Sequence, residues 1–170
     1  MEYVYDGVSA DKADIAGVQR VTMKRRHNKV LVPIHFVWAT HERMPLIPEP
    51  AQRRLWRYLE TVCREVRCEV LAVGGMPDHI HLLVNFSTTM SIAQLMKRVK
   101  GSSSHFVSEQ LREDGWFKWQ DHYAAFAVEP ARIANMISYI ECQAEHHAAA
   151  TTVSDYEETY TEHDTDEEVD

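Results

Sequence analysis

The sequence predicts an α+β domain: an antiparallel sheet with helices on one face, followed by one further helix near the C-terminus. Three features predict it. Residues 30–39, 68–73 and 79–86 are short apolar stretches of strand length, residues 50–66 and 91–111 repeat their apolar groups at helical spacing, and proline or glycine separates them. The resulting order is β-α-β-β-α-β, then a short strand and a helix. Its first six elements follow the split β-α-β arrangement of ferredoxin-like and RRM-like folds.

Each element has its own warrant. Val30–Ala39 is apolar and β-branched, and Pro33 predicts an irregular or exposed start. Pro45, Pro48 and Pro50 punctuate a loop, after which Leu55, Tyr58, Leu59 and Val62 share one helical face. Gly74 and Gly75 mark the turn region between the second and third strands. Ser91 is a candidate N-cap for a helix carrying Ile92, Leu95, Met96 and Val99. The run Gly101-Ser-Ser-Ser104 weakens that helix, although Phe106, Val107 and Leu111 extend its pattern. Trp116–Trp119 and Tyr123–Val128 read as two short strands, and Pro130 opens the last helix, which continues to about His147.

Length and charge bound the function. The 170 residues are 45% apolar, enough for one domain with a substantial core. No apolar run approaches the ~20 residues needed to span a bilayer, and the N-terminus lacks a signal-peptide layout. Cys63, Cys68 and Cys142 form no CxxC pair, which predicts free thiols and a cytoplasmic setting. The net charge of −8 is unevenly distributed: residues 151–170 hold nine acidic groups and no Lys or Arg. Residues 21–150 hold 13 acids and 16 bases, so the middle is mildly basic and admits a nucleic-acid partner. Residues 1–23 read as an N-terminal extension, 24–150 as the domain and 151–170 as a solvated acidic tail.

The chemical signal is His79-Ile-His81. On a strand both imidazoles face the same side and Ile80 the other, an arrangement suited to a metal ion but one or two ligands short. Asp78 is a candidate partner for one imidazole, with an ordinary turn carboxylate as the alternative. On the last helix Tyr139 and Gln143 are four residues apart and share a face. An amide oxygen can serve as a third ligand, and a phenol can act as a nucleophile toward phosphorus when a cation neutralises the phosphate. Tyr123 is a weaker nucleophile candidate, because Ala127 stands where an amide would be needed. Lys97, Arg98 and Lys100 are candidate DNA-phosphate contacts, equally readable as a solvated helical face. Trp116, Phe117 and Trp119 read as core, with stacking on unpaired bases as the alternative, and His146 and His147, after Glu145, as a solvated helix end, with a second metal site as the alternative.

Five segments occur in an order that resembles a known family. They are Phe36-Val-Trp-Ala-Thr40, Gly75-Met-Pro-Asp-His-Ile-His-Leu-Leu83, Lys97-Arg-Val-Lys-Gly-Ser-Ser-Ser-His-Phe106, Trp119-Gln-Asp-His-Tyr-Ala-Ala-Phe126 and Tyr139-Ile-Glu-Cys-Gln143. Together they resemble the HUH single-strand DNA transposases with one catalytic tyrosine, the TnpA-like enzymes of insertion sequences, which are related to the REP-associated tyrosine transposases. The resemblance implies that residues 24–150 are an HUH transposase domain. It makes Tyr139 the catalytic nucleophile and His79, His81 and Gln143 the ligands of Mg²⁺ or Mn²⁺. Gln143 favours the insertion-sequence branch. The implied reaction is cleavage and rejoining of single-stranded DNA at hairpin-bearing ends through a 5′-phosphotyrosine. The implied assembly is a homodimer whose active sites are shared between subunits. A domesticated or regulatory DNA-binding protein of the same fold, without transposition, is the alternative.

Overall fold

The computed structural model describes residues 30–112 and 115–157. The N-terminal extension, the basic cluster 24–29 and residues 158–170 lie outside the described residues. Among the described residues the elements run in the order β1 (Pro33–Ala39), α1 (Glu49–Glu65), β2 (Glu69–Met76), β3 (His79–Asn85), α2 (Ile92–Gln110), β4 (Ala124–Ala127) and α3 (Ile133–Glu141). Two short helices follow, α4 (Gln143–Ala148) and α5 (Ser154–Glu157). The sheet order is β2-β3-β1-β4 with every pairing antiparallel. This is the predicted split β-α-β topology, with α1 and α2 covering one face.

Local chemistry accounts for the helix boundaries. Pro50 lies in the first turn of α1, where its missing N–H costs nothing, and Leu55, Leu59 and Val62 form the buried stripe. Ser91 and Gln94 make a capping box: the Ser91 hydroxyl accepts from Gln94 N at 3.2 Å, and Gln94 Oε1 accepts from Ser91 N at 2.8 Å. The serine run does not break α2. Ser102 and Ser103 turn their hydroxyls back onto the carbonyls of Arg98 and Val99 at 2.8 and 2.6 Å, staying inside the helix.

Three expected elements differ. Gly74 and Gly75 do not form the turn but continue β2, pairing with His81 and Ile80, and the turn falls at Pro77 and Asp78. Residues 116–119 form no strand, only an isolated bridge between Thr40 and Trp119, whose indole N–H donates to Ser103 Oγ at 3.0 Å. Phe117 and Trp119 are buried as expected, whereas Trp116 is exposed. The last helix is not continuous from Pro130: a 3₁₀ turn at Pro130–Arg132 precedes α3, and non-helical angles at Cys142 separate α3 from α4.

Period-two alternation divides the interior into two cores. Ile34, Phe36 and Trp38 of β1, with Ile80, Leu82 and Val84 of β3, face α1 and α2 in the larger cluster. On the opposite face Leu83 packs with Ala72, Met136, Tyr139 and Ile140 beneath α3. Because β1 and β3 pair with Val37 opposite His81 and Ala39 opposite His79, the histidines are on the α3 side.

Residues 151–157 are only partly solvated: Thr151, Val153 and Ser154 are exposed, but the segment docks through its end. Tyr156 packs against the second core and α5 folds over the same face as the histidine pair.

Candidate active site

The site forms where β3 passes beneath α3, α4 and α5. His79 and His81 are fully buried. His79 Nδ1 is 2.7 Å from Asp78 Oδ1, and Asp78 Oδ2 accepts from Arg43 Nε at 3.2 Å. An imidazole that donates from Nδ1 to a carboxylate presents a free lone pair at Nε2, the state that ligates a cation. Asp78 is therefore the orienting partner of His79 as well as a turn residue. His81 is oriented differently: its Nδ1 is 3.0 Å from Nε2 of His35, and the two rings stack with centroids 5.2 Å apart. His35 was not singled out from the sequence. It lies on β1, two residues before the partner of His81, within an otherwise apolar strand.

Tyr139 reaches this centre, and Gln143 is buried one helical turn beyond it. The Tyr139 ring stands edge-on to His81 at 6.0 Å between centroids. Gln143 Nε2 donates to the Tyr139 carbonyl at 3.4 Å, leaving its buried Oε1 with no hydrogen-bond partner among the described residues. The Tyr139 hydroxyl accepts from Val153 N at 3.2 Å and donates to Glu157 Oε1. The other oxygen of Glu157 lies 3.2, 3.4 and 3.6 Å from Nε2 of His79, His81 and His147. His147 is thus part of the site and not a solvated helix end. It stands four residues after Gln143 and eight after Tyr139, a helical spacing that makes it legible in retrospect.

The electrostatics follow from burial set against these partners. Burial alone would raise the Glu157 carboxyl, but the adjacent His79 and His81 imidazoles outweigh it and hold it far below the carboxylate range. Burial opposes protonation of His79, yet Asp78 and Glu157 prevail and raise it. His81 is lowered, chiefly by burial. His35 is pushed down to about 3 by burial and by neighbouring His81, so it is neutral at physiological pH. Burial and the Glu157 hydrogen bond raise the Tyr139 phenol, which therefore needs help to attack as the phenolate.

These residues fit a divalent ion. Nε2 of His79 and His81 and Oε1 of Gln143 are buried without hydrogen-bond partners among the described residues, an arrangement that a coordinated cation would satisfy.

The position of α3 depends on Gly74 of β2. A Cβ built there would lie 2.3 Å from the carbonyl oxygen of Ile140, the residue after Tyr139. Gly74→Ala is expected to destabilise the domain by ~1–3 kcal/mol through overpacking and to lift α3 off the sheet. Thermal unfolding of the purified variant checks this, and an unchanged midpoint would show that the helix accommodates the methyl group without cost.

The basic residues of α2 are not at this centre, because α2 covers the opposite face. Lys100 Nζ donates to the carbonyls of Gln120, Asp121 and His122 at 2.6, 2.9 and 3.0 Å, so it fastens the 120–122 loop. Arg98 pairs with Glu65 at 2.6 Å in an exposed ion pair. Lys97 is exposed and lines a groove with Lys118 and Tyr123. No helix among the described residues is long and apolar enough to cross a membrane.

Known proteins resemble this chain in sequence and in fold. Residues 28–143 match the family model described as "Transposase IS200 like". The ISDra2 transposase TnpA of Deinococcus radiodurans is 29% identical over 114 residues, covering 64% of this chain and 81% of that protein. A solved transposase from D. radiodurans R1 superposes with a TM-score of 0.53 at 27% identity, covering 71% of this chain and 98% of that one. A REP-associated tyrosine transposase solved with a REP hairpin shares the fold, with a TM-score of 0.54 at 18% identity and 79% coverage of both chains.

Proposed function

This chain belongs to the IS200-like transposase family, and on that premise we propose that it cleaves and rejoins single-stranded DNA through a phosphotyrosine on Tyr139, assisted by Mg²⁺ or Mn²⁺. The observation carrying this reading is the Tyr139 phenol placed beside two buried imidazoles with unsatisfied Nε2 atoms. In the first step the Tyr139 oxygen attacks the scissile phosphorus, the P–O3′ bond breaks, and the departing 3′-oxygen takes up a proton. In the second a free 3′-hydroxyl attacks the phosphotyrosine, restoring the phosphodiester and returning the proton to the phenol. The bond energy is conserved, so no nucleotide triphosphate is consumed.

His79, His81 and Gln143 would hold the cation, whose chemistry is to neutralise the phosphate and stabilise charge as it develops. A groove lined by Phe126, Arg132, Asn135, Tyr139 and Tyr156 offers aromatic and polar surface to an unpaired strand. The partner we propose is single-stranded DNA with hairpin ends, met in the cytoplasm. Lys97 is the residue of α2 best placed for a phosphate contact. Incubating the protein with labelled oligonucleotides and Mn²⁺ should yield an adduct that survives denaturant with single-stranded hairpin substrates and not with duplex. Failure to form any adduct, despite binding the same DNA, would favour the domesticated DNA-binding reading.

Tyr139 reaches the histidines of its own chain, which supports a site completed within one subunit. The shared-site homodimer is the competing arrangement. Mixing His81→Ala chains with Tyr139→Phe chains separates the two. We expect no recovery of adduct formation, since every site would keep one defect, whereas partial recovery would establish exchange of α3 between subunits.

A further inference from the structure

We infer that His147 and Glu157 are direct ligands of the divalent ion, forming with His79 a centre of two imidazoles and one carboxylate beside His81 and Gln143. The inference rests on the metal-assisted reading above and extends its ligand set. Ligand atoms of His79, His147 and Glu157 lie within 4.8 Å of one another, a group able to close around one ion, and His81 stands outside that group. Nε2 of His79, His81 and His147 and Oε2 of Glu157 are buried with no hydrogen-bond partner among the described residues. The oxygen stands 3.2, 3.4 and 3.6 Å from the three nitrogens. With metal–ligand bonds of ~2.1 Å, neighbouring donors stand ~3.0 Å apart in octahedral and ~3.4 Å apart in tetrahedral geometry. The observed separations are long for hydrogen bonds and close to those edges.

The supporting contacts suit ligation. Asp78 and His35 engage the Nδ1 atoms of His79 and His81, leaving Nε2 of each facing Glu157. Glu157 Oε1 accepts from the Tyr139 hydroxyl, so one carboxylate would connect the ion to the phenol. Two imidazoles with one carboxylate favour Mn²⁺ over the oxygen-seeking Mg²⁺.

The test measures binding of Mn²⁺ alone to the full chain, by the loss of the free-ion signal in electron paramagnetic resonance. Outer-sphere substitutions cost 10–100-fold in metal affinity, so losing a direct ligand should cost at least about tenfold. Glu157→Ala and His147→Ala should each weaken Mn²⁺ binding by that much, and Glu157→Gln, which keeps an oxygen donor and the side-chain shape, should fall between. His105→Ala, an exposed histidine on α2, should bind as the wild type does. Unchanged affinity in the Glu157 and His147 variants, with binding lost in His79→Ala, would overturn the inference and leave the metal-assisted reading standing. Tighter Mn²⁺ binding by Glu157→Ala would also overturn it, since the carboxylate would then be a competitor for the ion's place. Absence of Mn²⁺ binding by the wild type would remove both.

Discussion

Tyr139→Phe should abolish the denaturant-stable DNA adduct, lowering its rate of formation by at least about 10⁴-fold, the scale on which removal of a covalent nucleophile acts. The substitution deletes one oxygen and leaves the ring in place between His81 and the α4 residue His146. Oligonucleotide affinity should therefore change little, and stability should fall by ~1 kcal/mol for the hydrogen bonds with Glu157 and Val153. Gel analysis after boiling in detergent gives the first quantity and a gel shift the second. An adduct persisting in the Phe variant would mean that the nucleophile is another residue, with Tyr123 the first to examine.

His79→Ala and His81→Ala should be as severe by another route. Each removes a buried imidazole that is held by a dedicated partner, Asp78 for His79 and His35 for His81. Cleavage should be lost in both, and Mn²⁺ affinity should drop by at least about a hundredfold, given that outer partners alone account for 10–100-fold. Gln143→Ala should be intermediate. Chelator added to the wild type should reproduce the defect and added Mn²⁺ should reverse it. Undiminished cleavage by either histidine variant in the presence of chelator would refute metal assistance.

The parts of this site that were legible in the sequence are those defined by local spacing. His79 and His81 declare a shared face because strands alternate, and Tyr139 with Gln143 because helices repeat every three to four residues. His35 could not be found that way: its partner is 46 positions away, and only the β1–β3 register brings the rings together. Glu157 was hidden for a different reason. It is one of nine carboxylates in an acidic stretch, and nothing local distinguishes it from its neighbours. What singles it out is the docking of Tyr156 and the fold of α5, which are tertiary events. The same limit explains Lys100, whose sequence shows a basic helical face but not the three carbonyls of a distant loop.

The division of the interior into two cores has a dynamic consequence. Among the described residues, the cluster under α1 and α2 holds nineteen buried residues, while that under α3 holds six. The nucleophile-bearing helix is therefore secured by the smaller share of apolar burial, and its detachment need not disturb the rest. Such a segment behaves as its own cooperative unit, opening at a free energy below that of global unfolding. Amide protons of α3 to α5 will then exchange with solvent through partial opening, while those of β1 and β3 wait for the whole domain to unfold. Tyr139 thus rides on the part of the molecule able to leave the histidines and return to them without the fold being lost.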